Sequence, residues 1–325
     1  MAVFTTLTPE DVGAALSEFD IGELTALEPI AGGIENTNYF LDTTRGRWVL
    51  TVFERLLPEQ LPFYLELCEH LKSHGTPVAA PVRNRAGSLF SILKGKPFAI
   101  ANRLKGQSVV DVTPAECADM GRVLAHMHEA ALSFKPFQEN LRGPQWWKAV
   151  VPQLAPHLPA DVRTMLEDEL AHQLAVFDDP AFAALPVAAC HCDLFRNNAM
   201  IEGHGTPEAH VCGVFDFYFA GCTPLLYDIA VTVNDWCTDF ADPAFHLEAA
   251  KTRAFLEGYA SVRPFTAEDG RRWPDMLRAA ALRFWISRLY DVHMPRQASL
   301  LTPHDPTYFE KILRTRRHET VTLPA

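Results

Sequence analysis

The chain changes character at Leu104-Lys105-Gly106. Ahead of this point, short apolar runs alternate with turn signals. Beyond it, apolar residues recur at helical spacing. A fold that accommodates both halves needs a small β-rich part and a larger helical one. At 325 residues the chain is also too long for a single small core. Two lobes are expected, residues 1–103 and 104–325, in an α+β architecture.

In the first lobe, Thr8-Pro9-Glu10 opens an amphipathic helix with Thr8 as N-cap and Val12, Leu16 and Phe19 on its apolar side. Strand-like runs follow at 28–30, 38–43 and 47–53, with Thr44-Arg45-Gly46 turning between the last two. A helix is predicted over 61–73, with Gly75 just past its end. Two further strands fall near 89–92 and 97–103. The second lobe opens with a helix at 114–130, carrying Met120, Val123, Leu124 and Met127 at helical spacing. Helices at 146–154 and 161–177 come next, then a short strand ending at His191. A hairpin of 198–201 with 211–217 turns around Glu202-Gly203-His204-Gly205, and helices dominate from Leu226 onward.

Nearly half the residues are hydrophobic, so a sizeable core is available. The net charge of −11 argues against nucleic acid as a partner, because phosphate-backbone binding needs clustered Lys and Arg. No apolar run reaches the ~20 residues that span a bilayer. Met1-Ala2-Val3-Phe4 leads straight into polar residues, without the pattern of a secretory signal. The seven cysteines are odd in number and sit mostly in apolar runs, which suits reduced, buried thiols in a cytoplasmic protein. Cys190-His191-Cys192 lacks the second ligand pair of a structural zinc site. Its spacing puts both thiols on one face of a buried strand.

The chemistry-bearing stretch is His191-Cys192-Asp193-Leu194-Phe195-Arg196-Asn197-Asn198, followed eighteen residues later by Asp216 in Gly213-Val214-Phe215-Asp216-Phe217. An Asp after a strand can accept the proton of a substrate hydroxyl. An Asn five positions on and a second Asp at a strand end can hold a divalent cation against nucleotide phosphates. The hairpin would bring Asn198 and Asp216 side by side. His191 is expected to orient the loop by hydrogen bonding. Asp228 is expected to cap a helix and brace the turn at Asp216. Upstream, Ile30-Ala31-Gly32-Gly33 lies between two strands, where paired glycines let backbone N–H groups approach an anion. No phosphate-loop Gly-x-x-x-x-Gly-Lys-Ser/Thr pattern and no Gly-x-Ser-x-Gly elbow is present.

At these residues the chain resembles the aminoglycoside phosphotransferase-like kinases, which share the protein-kinase fold. The matching pieces are Gly32-Gly33-x-x-Asn36-x-x-Tyr39, Gly121-x-x-Leu124-Ala125-x-x-His128, His191-x-Asp193 with Asn198, and Phe215-Asp216-Phe217. Within that superfamily it is most similar to the bacterial homoserine kinases of this fold, through Gly33 to Phe40, Val49 to Glu54, Tyr227-Asp228-Ile229-Ala230 with Asn234-Asp235-Trp236-Cys237, and Phe284 to Asp291. The resemblance covers residues 30–310. It implies a two-lobed protein-kinase-like fold: a small antiparallel β lobe with one main helix, and a larger, mainly helical lobe.

The implied reaction is ATP- and Mg²⁺-dependent phosphorylation of L-homoserine to O-phospho-L-homoserine, in a monomer or homodimer. Carried over by position, Asp193 is the catalytic base, Asn198 and Asp216 are the Mg²⁺ ligands, and Gly32, Gly33 and Asn36 belong to the loop over the phosphates. Residues 98–104 form the hinge that meets adenine. Another small alcohol (choline, an aminoglycoside, methylthioribose, a hydroxylated amino acid) is the alternative acceptor, and a silent binding module is the alternative class.

Two departures stand out. Cys192 occupies a position where the superfamily commonly has Gly. Thr51 stands where a third-strand Lys usually meets the phosphates, which leaves Arg55, Lys94 and Arg103 as candidate cations and puts a Lys–Glu pair through Glu66 or Glu69 in question. For the acceptor, a carboxylate needs a planar donor and an ammonium needs an acid. Arg288, in an aromatic helix segment, is assigned to the first and Asp235 to the second.

Overall fold

The computed structural model describes residues 5–30, 36–294 and 304–324. Gly32 and Gly33 lie outside them. The chain divides into two compact units, residues 1–105 with 213–215, and 106–212 with 216–325. The short excursion of 213–215 into the first unit has no counterpart in a boundary drawn after residue 103.

The first unit begins with α1 (Pro9–Leu16). Its start is fixed by a reciprocal cap: the Thr8 hydroxyl accepts from the Asp11 N–H at 3.2 Å, and the Asp11 carboxylate accepts from the Thr8 N–H at 2.8 Å. The strands are β1 (Leu24–Pro29), β2 (Thr37–Thr43) and β3 (Gly46–Val52). Helix α2 (Leu61–Ser73) comes next, then β4 (Ser91–Leu93) and β5 (Lys96–Asn102). They form one antiparallel sheet in the order β1-β2-β3-β5-β4. Along β2, Thr37, Tyr39, Leu41 and Thr43 are buried and the residues between them less so, the period-two pattern of a strand with one covered face. That face packs with Leu50, Val52, Phe98 and Ile100 against Val12, Leu16 and Phe19.

The second unit contains α3 (Pro114–Ala131), α4 (Pro144–Leu154), α5 (Ala160–Asp178), β6 (Val187–Cys190), β7 (Ala199–Glu202), β8 (His210–Val214, its last two residues in the first unit), β9 (Gly221–Pro224), α6 (Leu225–Trp236), α7 (Ala249–Ala260), α8 (Ala267–His293) and α9 (Thr307–Arg316). β6 pairs antiparallel with β9, and β7 with β8. No helix among the described residues is long and apolar enough to cross a membrane.

Helices α3 and α7 approach until their backbones touch, and a glycine on each makes this possible. A β-carbon on Gly121 would lie 2.2 Å from the Phe255 carbonyl oxygen, and one on Gly258 would lie 2.1 Å from that of Ala118. Both obstacles are backbone, so neither can rotate aside. Gly121→Ala should therefore cost about 2 kcal/mol net, because overpacking of up to ~3 kcal/mol outweighs a helix-propensity gain of ~1 kcal/mol. Thermal unfolding should show a fall of roughly 5 °C. An unchanged or raised Tm would mean that the helices can part without cost.

Candidate active site

The loop 191–198 links β6 to β7, and many of its backbone polar groups are hydrogen-bonded. Four of them are held from α6, by residues 228, 235 and 236. Asp228, fully buried, accepts from the His191 N–H at 3.1 Å through Oδ2 and from the Cys192 N–H at 2.7 Å through Oδ1. The indole of Trp236 donates to the Leu194 carbonyl at 3.2 Å. Asp235 Oδ2 accepts from Arg196 twice, from the backbone N–H at 2.7 Å and from Nε at 3.0 Å. The loop also binds itself. The Asp193 N–H donates to His191 Nδ1 at 3.2 Å, and Asn198 Nδ2 donates to the Asp193 carbonyl at 2.8 Å. His191 Nδ1 thus acts as an acceptor, and its buried ring packs on Phe217 at 4.5 Å.

Asp228, expected to cap its helix, instead holds the loop ahead of Asp193, and α6 has no side-chain N-cap. The network extends further. His128 of α3 meets Asp228 Oδ2 through Nε2 at 3.1 Å, and its Nδ1 meets the Tyr259 hydroxyl of α7 at 2.8 Å. A neutral imidazole protonated on Nε2 satisfies both contacts, donating to Asp228 and accepting from Tyr259. Burial alone would raise the Asp228 pKa. The hydrogen bonds from His128 and from the Cys192 N–H outweigh burial and hold the carboxyl below its usual range. His128, Cys190 and Asp228 bring three potential ligand atoms within 4.8 Å. The acceptor sites of Asp228 are taken up by N–H donors, however, so the cluster is a hydrogen-bond network.

Cys192 adopts φ = +62°, the left-handed region in which glycine is at ease and a β-carbon is strained. A glycine-favouring backbone thus carries cysteine here. It also removes Cys192 from the strand face expected for it beside Cys190, which ends β6. The sulfur is buried against the Cys190 and Gly221 carbonyls. Burial pushes both thiols well above the ordinary cysteine range, and all seven cysteines are unbridged.

Asp193 is half-buried and follows this turn directly. Asn198 is buried, one residue before β7. Asp216 lies two residues past β8, exposed and at φ = +66°, so it follows its strand and does not end it. Because β7 and β8 are joined through the short loop 203–209, the start of one strand and the end of the other share an end of the hairpin. The Asn198 amide nitrogen is committed to Asp193, which turns its oxygen the other way. An amide oxygen and a carboxylate are the hard donors that Mg²⁺ takes.

In the first unit, Thr51 donates to Asn38 Oδ1 at 2.7 Å on the face where a lysine was missed. Lys94 pairs with Asp11 at 2.6 Å and is taken up there. Glu69 is held by Arg83, through Nε at 2.7 Å and Nη2 at 2.5 Å, so its cation is not a third-strand lysine. Arg103 lies over the Phe40 ring at 3.8 Å. Asn36 is the half-buried residue just before β2.

Of the two acceptor residues, Asp235 is shared with Arg196, which was not anticipated. Arg288 Nη1 donates to the Asp305 carbonyl at 3.2 Å, and its guanidinium stacks on Tyr308 and Phe309 of α9 at 4.8 and 4.5 Å. A second unanticipated residue is Arg283 of α8, buried with Nη2 3.9 Å from Asp193 Oδ1. Both Asp228 and Arg283 leave a trace in the sequence, each being a lone charge inside an apolar helical run.

The model of the phosphotransferase enzyme family matches residues 26–265. The homoserine kinase of Burkholderia mallei is 49% identical over 328 aligned residues, covering 100% of this chain and 98% of that protein. The homoserine kinase of Paraburkholderia xenovorans is 50% identical, covering 97% of this chain and 96% of its own. Among solved structures, an amicoumacin kinase in complex with AMP-PNP and Ca²⁺ superposes with a TM-score of 0.70 at 15% identity, over 97% of this chain and 95% of that one. An aminoglycoside phosphotransferase from Alicyclobacillus acidocaldarius gives 0.64 at 17%, over 96% and 92%. These structural likenesses concern the fold, which is the protein-kinase-like α+β fold.

Proposed function

We propose that this chain, which belongs to the phosphotransferase enzyme family, transfers the γ-phosphoryl group of ATP to the side-chain hydroxyl of L-homoserine. The observation that carries the acceptor is the 49% identity with homoserine kinases along the whole chain. The braced Asp193 loop supports the reaction. In the step itself, the hydroxyl oxygen bonds to the γ-phosphorus as its proton passes to the Asp193 carboxylate. The bond from phosphorus to the β–γ bridging oxygen breaks, and ADP leaves.

Asn198 and Asp216 are the residues that would hold Mg²⁺, which when bound neutralises charge on the phosphate oxygens. Asn198 also ties the metal side to the base, since its amide nitrogen grips the Asp193 carbonyl. Gly32, Gly33 and Asn36 would bring backbone and amide donors to the phosphates, with Arg103 as a nearby cation. Asp235, paired with Arg196 at 3.0 Å, is the acid proposed for the acceptor ammonium.

A panel of alcohols in a coupled ADP-release assay tests the acceptor. L-Homoserine should release ADP at least tenfold faster than choline, an aminoglycoside or methylthioribose; ADP release at the buffer rate, with another alcohol active, sinks the reading. Asp216→Ala should raise the Mg²⁺ concentration giving half-maximal rate by an order of magnitude or more, the usual scale for losing a metal ligand or its support. An unchanged Mg²⁺ titration would remove Asp216 from the metal site.

A further inference from the structure

Helix α8 carries Arg283 through a run, Ala279 to Ile286, in which every residue is buried. The side chain is 4% exposed. Among the described residues, its Nε and Nη2 have no hydrogen-bond partner. The 3.9 Å separation from Asp193 is within ion-pair range and beyond a hydrogen bond. What holds the guanidinium is aromatic: Phe284 at 3.8 Å and Phe219 at 5.1 Å from the ring centroids. Arg142 approaches the same Phe219 ring at 5.9 Å, so two guanidinium groups flank one ring beside the base.

An unmade hydrogen bond on a buried charged group is costly, because the donor has lost its water without gaining a partner. Stacking offsets only part of that. The Tyr227 hydroxyl is likewise buried without a partner among the described residues. Polar groups left incomplete together at the catalytic carboxylate suit a planar anion that arrives with the substrate. The anion must belong to a molecule whose hydroxyl reaches Asp193 at the same time. In L-homoserine three carbons separate the hydroxyl oxygen from the carboxyl carbon, so one molecule lying alongside the pair can meet both Asp193 and Arg283, whose nearest charged atoms are 3.9 Å apart.

We propose that Arg283, with Arg142 at its rim, anchors the acceptor's α-carboxylate, and that Arg288 is given over to the junction of α8 with α9. This rests on homoserine being the acceptor. It makes Arg283 a specificity-determining residue, one that distinguishes amino acids from amino alcohols.

The test compares L-homoserine with 3-amino-1-propanol, the same molecule without its carboxylate, in the wild type and in Arg283→Gln, Arg283→Lys and Arg142→Gln. The wild type should favour homoserine in kcat/KM by roughly 100-fold or more, the worth of two charge-assisted hydrogen bonds. Arg283→Gln should remove most of that preference through KM for homoserine. The amino alcohol, which has no carboxylate to anchor, should lose at least tenfold less than homoserine, and KM for ATP should rise far less than KM for homoserine. Arg283→Lys should fall between, since an ammonium cannot bind a carboxylate in the same two-pronged way. Arg142→Gln alters a half-exposed side chain, so it keeps the test open if the buried variants fail to fold; it should lower the preference for homoserine over the amino alcohol about tenfold. Equal losses on both acceptors would mean that these arginines only position Asp193. A rise in KM for ATP would move the anion to the nucleotide, and a wild type indifferent to the carboxylate would overturn the anchor outright. A wild type that ignores homoserine and phosphorylates another alcohol would overturn the acceptor assignment instead.

Discussion

Asp193→Ala is expected to lower kcat by roughly 10²–10⁴-fold, the usual worth of a positioned acid–base group. KM for ATP should change little. The loop stays in place without this side chain, because its anchors are the backbone groups of residues 191–196 and the side chains of Asp228, Asp235 and Trp236. Asp193→Asn keeps the shape and removes the proton acceptor, so it should fall as far as alanine. Steady-state ADP release in both variants, with circular dichroism to confirm folding, measures this. Turnover near the wild-type rate in either variant would exclude Asp193 as the base.

Replacing Asp228 should act on folding before it acts on chemistry. Asp228→Asn puts an amide N–H₂ where one carboxylate oxygen faces a buried N–H, either of His191 or of Cys192. One donor then faces another in a site with no water exposure. The expected loss is about 3–5 kcal/mol, as for breaking a buried charged network. The pH dependence has a definite sign. Asp228 is held below the ordinary carboxylate range in the folded state, so it contributes stability that is present above about pH 4 and is lost as pH falls through the lowered folded value. Urea unfolding of wild type and Asp228→Asn should therefore differ by a constant amount between about pH 5 and 8 and converge in more acidic buffer. Curves that stay parallel down to pH 3 would show that the carboxylate charge is not what braces the loop.

The two residues illustrate what the sequence could disclose. Asp193, Asn198 and Asp216 could be proposed from the sequence because phosphoryl transfer needs those residue types at a short, fixed spacing along the chain. The strands and capped helices were legible through their periodicities, as with Thr8 and Asp11 at the start of α1. Asp228 was visible only as a buried acid. Its partners are backbone N–H groups of a loop more than thirty residues away, and such partners leave no pattern of their own. Arg283 was hidden for a similar reason, since its environment is assembled from Phe219, Phe284 and Asp193 on separate segments. Cys192 was a puzzle in one dimension and has a local account in three: the backbone there takes a left-handed turn, which glycine meets without strain and cysteine meets with some.

The close crossing of α3 and α7 has a consequence for genetics. Gly121 and Gly258 touch no substrate, but the approach they permit belongs to the same helix pair that carries His128 and Tyr259, and through them Asp228. In a complementation screen, a bulkier side chain at 121 or 258 would score among the loss-of-function alleles beside Asp193. Second-site suppressors of it should arise along that helix seam and not in the loop 191–198.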